Sequence, residues 1–548
     1  MKNWLKKILL PAMALGLAAV LFTGCVGNNE SQSSTSDQSE SEIPEDITIT
    51  IGLPVNVKVE DYETNALTRW LEEETGYSID FITFAATSAD YKSQIATRLD
   101  DLPDILWNCD LGTATIRTYA EDGYILDLSK YFADEKLSAE FWENINTLSE
   151  EMQEYVKLRM YEQRTGAVYA VPRVEYSRVD VIDYMVFINQ KWLDALGLQM
   201  PTNKDELYDV LVAFRDRDPN GNGVKDEIPI FGFQGSYCGD IVNWIVNMFI
   251  YADDTSWFNV DNNGKLYSPF MTNEYREALK FIKKLNDEGL LPGETTFTGS
   301  HKDIKNYFSS GSTKNNIGIW AGHPVSTLPT DLDVIYDYVA MPLWGCAMYK
   351  AQAYSSRTFI TDSAEYPEAA FKVLMKLSSL EGAARIRYGE KGVDWDFTEE
   401  GNYNTLNIMN PTAFTDVCNQ TWGVVDSTIL SFNEEKRESH ENDDEWNKYK
   451  YKLCFDMADN FAAAAEQYNP EELAPRFQHF WSNEDAESCE NERGNCQTYI
   501  KTMRSHFGAG VKDPSNDADW NEYIKTLNDM GIDVWMNVCQ RLYDEINK

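Results

Sequence analysis

The order of strand and helix patterns between residues 47 and 107 constrains the fold of this chain more than any other feature. Apolar and polar residues alternate along ITITIGL, at residues 47–53, which predicts a β-strand. A helical pattern follows and ends at Gly76, because glycine is the residue type favoured at helix C-caps. Strand, helix, strand, helix, strand is typical of an α/β fold with a parallel sheet. The predicted elements are strands at Ile47–Leu53, Ser78–Phe84 and Asp104–Trp107 and helices at Asn65–Thr75 and Ser88–Leu99.

The strand pattern returns further along the chain, and long amphipathic helices dominate its last part. Helices are predicted at Glu368–Arg387 and Asp519–Asn547. Two very polar stretches, Asn433–Lys450 and Ser482–Gln497, are predicted to be surface insertions. The later strands are predicted at Tyr184–Asn189, Ile228–Gly232, Ile317–Trp320 and Tyr338–Met341.

The first 25 residues have the pattern of a bacterial export signal. A lysine-rich head precedes the apolar stretch Ile8–Phe22, which is too short for a comfortable transmembrane helix of about 20 residues. Leu21, Gly24 and Cys25 resemble the lipobox of bacterial lipoproteins, and this resemblance implies cleavage between Gly24 and Cys25 and diacylation of Cys25. The alternative is an ordinary cleaved signal in which Cys25 is incidental.

Residues 25–45 are predicted to be a disordered tether, because this stretch is rich in Ser, Gln, Asn, Asp and Glu and has almost no apolar side chains. The full chain is 43% hydrophobic, which is enough to bury large cores. A formal net charge of −41 argues against nucleic acid as a partner, since such a chain repels phosphate.

The nine cysteines do not indicate a zinc site, because no CxxC pair occurs and the histidines do not cluster with them. Cys25 is assigned to the lipid. Cys489 and Cys496 flank a short polar stretch, so a local disulfide and two isolated thiols both remain open.

Several segments together resemble the extracellular solute-binding proteins of ABC importers, in particular their oligosaccharide- and alginate-binding branch. The resemblance extends over nearly the whole chain after the signal, and the order and spacing of the segments carry it more than any one of them does. The segments are Leu102–Trp107 (LPDILW), Gly166–Pro172 (GAVYAVP), Phe187–Leu193 with Leu196–Leu198 and Pro201–Thr202, Phe308–Gly311 with Gly318–Trp320, and Asp519–Tyr523 with Leu527 and Gly531–Ile532.

This resemblance implies a two-lobed α/β fold of the periplasmic-binding-protein type (type II), with hinge-joined lobes and a ligand cleft between them. The chain crosses between the lobes more than once in such folds. We predict lobe one from residues 46–179 and 315–357, and lobe two from residues 180–314 and 358–548. Residues 1–24 are the predicted signal peptide.

Residues 216–227 (DRDPNGNGVKDE) match the loop pattern of an EF-hand. Calcium takes six to eight oxygen ligands, and side chains at alternate positions of a tight loop supply them. An acidic surface turn without an ion is the alternative. The EF-hand register begins at Asp216, whereas the register that the alginate-binding relatives imply uses Asp218, Asn220, Asn222, Val224, Asp226 and Glu227. We prefer the second register and predict a structural calcium ion.

Ligand-binding residues are sought among aromatic side chains that stack on sugar rings and polar side chains that bond hydroxyl groups. Trp107 ends a strand where open α/β sheets bind ligands, and Arg173 offers forked hydrogen bonds to hydroxyls or a carboxylate. For each tryptophan, burial in a core is the alternative. The candidates are Trp107, Asn108, Asp110, Tyr169, Arg173, Trp244, Trp320, Trp395 and Trp422.

The resemblance implies a monomeric, non-enzymatic lipoprotein on the outer face of the cell membrane, which passes an oligosaccharide to ABC permease subunits. Two other functions remain open: a lipoprotein that binds a peptide or a signalling ligand, and a secreted glycoside hydrolase. Paired carboxylates serve glycoside hydrolysis, but with 89 acidic residues some pair is always available. No G-x-S-x-G, H-E-x-x-H or phosphate-binding loop motif is present.

Overall fold

A computed structural model gives the structure of the protein. It describes residues 47–146, 165–175, 184–236, 238–252, 256–300, 304–309, 316–324, 333–342, 353–397, 406–409, 420–423, 445–465 and 483–546, with isolated residues between these ranges. The predicted signal, Cys25 and the tether lie outside the described residues. Within the described part, no helix is both long and apolar enough to cross a membrane.

The strands confirm the predicted α/β class. They are β1 (Thr48–Pro54), β2 (Ser78–Phe84), β3 (Ile105–Leu106), β4 (Val171–Glu175), β5 (Val186–Asn189), β6 (Ile228–Phe231), β7 (Asn259–Val260), β8 (Leu266–Tyr267), β9 (Ile317–Ala321), β10 (Tyr338–Ala340), β11 (Ala353–Ile360), β12 (Trp395–Phe397) and β13 (Leu406–Ile408).

The helices alternate with these strands in the first half of the chain and follow them in the second. They are α1 (Ala66–Thr75), α2 (Ser88–Ala96), α3 (Thr113–Glu121), α4 (Ser129–Phe132), α5 (Ala139–Ile145), α6 (Gln190–Leu196), α7 (Lys204–Asp216), α8 (Ile241–Val246), α9 (Asn273–Asp287), α10 (Gly293–Thr298), α11 (Ile304–Ser309), α12 (Pro367–Ser378), α13 (Leu380–Tyr388), α14 (Glu445–Ala465), α15 (Asn483–Gly508), α16 (Asp517–Asp529) and α17 (Ile532–Ile546), with 3₁₀ helices at Pro269–Met271 and Asp333–Asp337.

Sheet one has the strand order β2-β1-β3-β11-β4 among the described residues. Strands β1, β2 and β3 are parallel, and β11 runs antiparallel to β3 and β4. Its helices include α12, which packs against α1 and α5. Lys376 of α12 forms ion pairs with Glu74 (2.8 Å) and Glu140 (2.9 Å), and so joins these three helices.

Sheet two has the order β10-β5-β9-β6 and a hydrophobic core on each face. Successive side chains of a strand point to opposite faces. Val186 and Ile188 therefore pack in one core, with α6–α9 and the C-terminal helices α15–α17, whereas Phe187 packs in the other, with α11 and α14. Because both faces of β5 are covered, its residues from Val186 to Ile188 are all apolar.

Two predicted helices are interrupted. The segment predicted as Glu368–Arg387 is broken at Ser379, whose extended backbone (ψ 161°) ends α12 and whose side chain caps α13. The segment predicted as Asp519–Asn547 is broken at Gly531, where a φ of +81° requires the left-handed region that glycine tolerates. Periodicity continues across both breaks, so it does not reveal them.

The predicted lobe boundaries are wrong in one respect. Strands β9 and β10, in the segment assigned to lobe one, pair with β5 in sheet two. Residues 358–388, assigned to lobe two, complete β11 of sheet one and pack on it as α12 and α13. Hydrogen bonding between strands that are distant in the sequence decides lobe membership, and the order of elements along the chain does not encode it.

The prediction of a surface insertion at Ser482–Gln497 is wrong. From Asn483 onward these residues belong to α15, and the side chains of Cys489 and Cys496 are buried in the core. Both cysteines are free thiols. The helix is kinked at Cys489, whose backbone is not helical (φ −141°). In the other predicted insertion, residues 433–444 lie outside the described part, and Trp446 is buried in α14.

Candidate functional site

The carboxyl ends of β1, β2 and β3 meet at one edge of sheet one, because these strands are parallel. Open α/β sheets bind their ligands just beyond this edge. Asn56, Ala85 and Trp107 are among the residues that follow the three strands. We call this region the carboxyl edge of sheet one.

Trp107 and Asn108 carry two unsatisfied polar atoms at this edge. The Trp107 side chain is 2% exposed, and its Nε1–H has no hydrogen-bond partner in the described part of the chain. The Oδ1 atom of Asn108 is buried and also lacks a partner there. Asn108 has a φ of +52°, which is unusual outside glycine. Buried polar atoms are nearly always paired in native proteins, so these two call for a ligand or water.

Arg357 supplies a third unsatisfied polar atom beside them. Its carbonyl oxygen accepts a hydrogen bond from the backbone N–H of Cys109 at 2.7 Å, and the Thr358 hydroxyl accepts one from the N–H of Asn108 at 3.3 Å. The pairing of β11 with β4 shifts register between Ser356 and Thr358, which makes Arg357 the residue of a β-bulge. Bulges re-aim side chains next to functional sites. The Nε–H of Arg357 is buried and has no partner among the described residues.

Residues 420–423 lie on the same edge as a short strap. The Trp422 Nε1–H donates to the hydroxyl of Thr68 at 2.9 Å, and its ring meets that of Trp107 edge-on at 5.5 Å. The side-chain amides of Asn56 and Asn65 donate to the carbonyls of Gly423 (2.6 Å) and Thr421 (2.9 Å). The strap therefore fixes one side of the Trp107 ring.

The other polar candidates lie near this edge with different roles. Arg173, on β4, is 8% exposed, and its backbone pairs with that of Ser355 on β11. Tyr169 is half-buried against the core of sheet one, and burial raises the pKa of its hydroxyl. Asp110 is exposed, and its carboxylate accepts a hydrogen bond from the N–H of Gly112 at 3.2 Å.

The remaining tryptophan candidates lie in hydrophobic cores away from Trp107. Trp320 is 0% exposed and stacks on Phe187 at 4.7 Å, inside a core of sheet two. Trp395 is also 0% exposed, and its Nε1–H donates to the carbonyl of Gly389 at 3.0 Å. Trp244 is 6% exposed, on α8. All three rings are almost fully buried, as that of Trp107 is, and they lie on α8, β9 and β12 and not at the ends of β1, β2 and β3.

Sequence reasoning missed Arg357, Thr358 and the asparagines that hold the strap. The sequence offered one signal. The strand sequence AYSSRTFI (Ala353–Ile360) contains an arginine, and a charged side chain is rarely buried without a partner. The strap contacts had no such signal, because Asn56 and Gly423 are hundreds of residues apart.

The predicted calcium loop is a tight turn rich in side-chain oxygens. Asp218 (φ +44°) accepts hydrogen bonds from the N–H groups of Asn222 (3.1 Å) and Gly223 (3.0 Å). One buried carboxylate oxygen of Glu227 has no partner within the described chain. Burial raises the pKa of Glu227, and the charges of Asp226 and Asp218 raise it further.

This arrangement fits a cation, because a cation would offset the repulsion among the three carboxylates. Among the described residues, no group of three His, Cys, Asp or Glu side chains is already arranged as metal ligands. Asp216 is engaged elsewhere: Arg215 donates to both of its carboxylate oxygens at 2.8 Å. That bidentate pair favours the register that begins at Asp218.

Known proteins resemble this chain over most of its length. Residues 57–384 match the family described as "Bacterial extracellular solute-binding protein". The fructooligosaccharide ABC transporter substrate-binding protein FusA of Streptococcus pneumoniae is 25% identical over 494 residues, which cover 87% of this chain and 86% of FusA. Lipoprotein LipO of Bacillus subtilis is 30% identical over 284 residues, or 51% of this chain and 50% of LipO.

Solved structures share the fold at lower identity. The HMO-binding, ABC-transporter-associated solute-binding protein of Bifidobacterium longum infantis superposes with a TM-score of 0.74 at 18% identity, covering 92% of this chain and 99% of that protein. A FusA "EF-hand mutant" from S. pneumoniae, in complex with fructo-nystose, gives a TM-score of 0.65 at 20% identity, covering 91% and 99%. The fold is that of the two-lobed solute-binding proteins, and the chain belongs to the family of bacterial extracellular solute-binding proteins.

Proposed function

We propose that this protein is the substrate-binding lipoprotein of an ABC importer, which captures an extracellular oligosaccharide and delivers it to permease subunits. The observation that carries the proposal is that three buried polar atoms at the carboxyl edge of sheet one lack hydrogen-bond partners within the described residues: Trp107 Nε1, Asn108 Oδ1 and Arg357 Nε. Two donors and one acceptor match sugar hydroxyls, which both donate and accept. The relatives FusA and the HMO-binding protein, named for oligosaccharides, support this ligand class.

Binding rather than catalysis is part of the proposal, since the family consists of binding proteins. The test is a thermal-shift and calorimetric screen of the purified mature chain against fructo-, milk, plant and uronate oligosaccharides, with chromatography of each mixture afterwards. We expect at least one oligosaccharide to raise the melting temperature and to be recovered intact. Recovery of shortened products would replace this proposal with hydrolysis, and a response to peptides alone would replace it with peptide binding.

Attachment to the membrane through Cys25 is the second part of the proposal. The lipobox at Leu21–Cys25 and the relative named lipoprotein LipO support it. Replacing Cys25 with Ser removes the thiol that carries the lipid. We expect the wild-type chain in the membrane fraction of a bacterial host and the variant in the medium or the periplasm, as measured by fractionation and blotting.

Calcium binding by residues 218–227 is the third part. The ligands would be Asp218, Asn220, Asn222, Val224 through its carbonyl, Asp226 and Glu227, an oxygen set of the type that calcium prefers. The buried, unpaired oxygen of Glu227 supports a cation at this position. The ion would pin the loop between α7 and β6, where the carbonyl of Asp226 already accepts a bond from Asn316 at 3.3 Å.

Calorimetric titration of chelator-treated protein with calcium tests this part, together with the melting temperature. We expect binding by the wild type and a higher melting temperature, and the loss of both in Asp218→Asn and Glu227→Gln. Asp216→Asn is the matched control, because Arg215 occupies that carboxylate. A loss of binding in Asp216→Asn with retention in Asp218→Asn would establish the EF-hand register instead.

A further inference from the structure

We infer that the oligosaccharide recognised at the carboxyl edge of sheet one is acidic: a carboxylate-bearing sugar contacts the guanidinium of Arg357 and the indole N–H of Trp107. This inference rests on the proposed function and names the substrate class of the same site. A carboxylate accepts hydrogen bonds from donors of both kinds, and Asn108 Oδ1 accepts one from a hydroxyl of the same sugar.

The first support is the state of the Arg357 side chain. It is half-buried, its Nε–H has no hydrogen-bond partner, and it forms no ion pair with any carboxylate in the described part of the chain. Half-buried charges without a partner are costly, and arginine is the side chain best shaped to bind a carboxylate.

The neighbouring acidic side chains do not supply the missing partner. Asp104 lies at the opposite end of β3, where it accepts bonds from the N–H and the hydroxyl of Thr50 at 2.6 and 2.5 Å. Asp110 is exposed and accepts from Gly112. Among the described residues, the guanidinium of Arg357 therefore has no acidic partner at this edge.

The net charge of −41 opposes an acidic ligand only at long range. The Debye length is about 8 Å at physiological salt, so distant surface carboxylates are largely screened. A carboxylate in direct contact with Arg357 lies well within that distance, on a half-buried surface where screening is weaker. Local attraction therefore decides the affinity, and the long-range repulsion slows only the encounter.

The test compares each acidic oligosaccharide with its own methyl ester, which has the same ring and hydroxyls without the charge. Oligomers of galacturonate, mannuronate and glucuronate and sialylated lactose, their esters, and neutral fructo- and milk oligosaccharides are titrated by calorimetry into the mature chain. We expect the tightest ligand to be an acid. Its methyl ester should bind about tenfold more weakly, because it lacks a charged hydrogen bond.

Three variants locate the effect. Arg357→Gln should reduce the acid-to-ester affinity ratio to near one, and Arg357→Lys should retain part of it, because the charge remains while the planar fork is lost. Arg98→Gln removes the same charge from an exposed arginine paired with Asp101 on the same lobe, and should leave the ratio unchanged. The melting temperature without ligand reports whether each variant is folded.

The outcomes separate this inference from the proposed function. A neutral oligosaccharide that binds more tightly than every acid, an ester that binds as well as its acid, or an unchanged ratio in Arg357→Gln would overturn the inference and leave oligosaccharide binding in place. The absence of binding by every oligosaccharide would overturn both.

Discussion

At the scale of single residues, two tryptophans with the same unmet hydrogen bond allow a controlled comparison. Trp107 and Trp192 are both almost fully buried, and in each the Nε1–H lacks a partner within the described chain. Trp107 lies at the carboxyl edge of sheet one, whereas Trp192, on α6, packs edge-on against Phe214 at 5.1 Å in a core of sheet two. In the proposed complex the Nε1–H of Trp107 bonds the ligand, whereas that of Trp192 lies in the core.

Trp107→Phe should therefore weaken oligosaccharide binding about fivefold, because it removes one hydrogen bond to the ligand and keeps an aromatic ring. Trp192→Phe should leave the affinity unchanged. Calorimetry with the best ligand from the screen measures both. Equal losses in the two variants would mean that packing, and not the N–H of Trp107, supports binding.

The position of Trp107 was predictable, and that of Arg357 was not. A tryptophan at the end of a buried strand lies where α/β sheets bind ligands, and this relation is local in the sequence. The orientation of Arg357 depends on a bulge that exists only when β11 pairs with β4, and those strands are about 180 residues apart. Trp320, which was chosen by the same local argument, lies near the end of β9 inside a core of sheet two.

At the scale of elements, the strap at residues 420–423 shows how a short segment supports the site. It forms no helix or strand, yet three side chains of the β1–α1 region bond to it. Strands and helices were largely predictable from periodicity, as β1, β2 and α1 show. The strap was not, because its stability comes from tertiary hydrogen bonds and from one ring, Trp422, between Phe81 and Trp107.

Thr68→Val tests the contribution of the strap. The variant keeps the side-chain shape but removes the acceptor of the Trp422 N–H and the donor to the carbonyl of Tyr62 (2.6 Å). We expect a loss of about 2 kcal/mol in the free energy of unfolding, measured with urea, and weaker ligand binding. Thr502→Val is the control, since its hydroxyl bonds an exposed carbonyl on α15. A similar loss in both variants would argue against a special role for the strap.

At the scale of the whole molecule, a buried charged cluster holds α15 against α8, α9 and the segment between them. The guanidinium of Arg504 is fully buried and bonds Asp254 (2.6 Å), Asn243 and the hydroxyl of Tyr275 (3.3 Å). Asp240 lies near this cluster and caps α8, with its carboxylate accepting from the N–H groups of Asn243 (2.9 Å) and Gly235 (2.7 Å). Helical periodicity predicted helix over Asp519–Asn547, which forms α16 and α17, but it predicted neither α15 nor this anchor, because a buried arginine has no local signature.

The cluster predicts how stability depends on pH. Burial raises the pKa of Asp240 from 3.8 to about 6, although Arg504 lowers it in part. Between these two pKa values the folded chain holds a proton that the unfolded chain has released. Stability therefore falls as the pH rises through this window and levels off above about pH 6. The slope contributed by this one group is at most about 1.4 kcal/mol per pH unit.

Asp240→Asn removes this titration and keeps an oxygen for the cap, so the difference in unfolding free energy between wild type and variant should change between about pH 4.5 and pH 6 and stay constant above it. The matched control is Asp261→Asn, an exposed aspartate that accepts backbone N–H groups of Asn263 (2.8 Å) and Lys265 (2.9 Å) and whose pKa is lowered. That variant should run parallel to the wild type in the same range. Urea unfolding at a series of pH values measures all three, and a wild-type slope that persists in Asp240→Asn would assign the titration to another group.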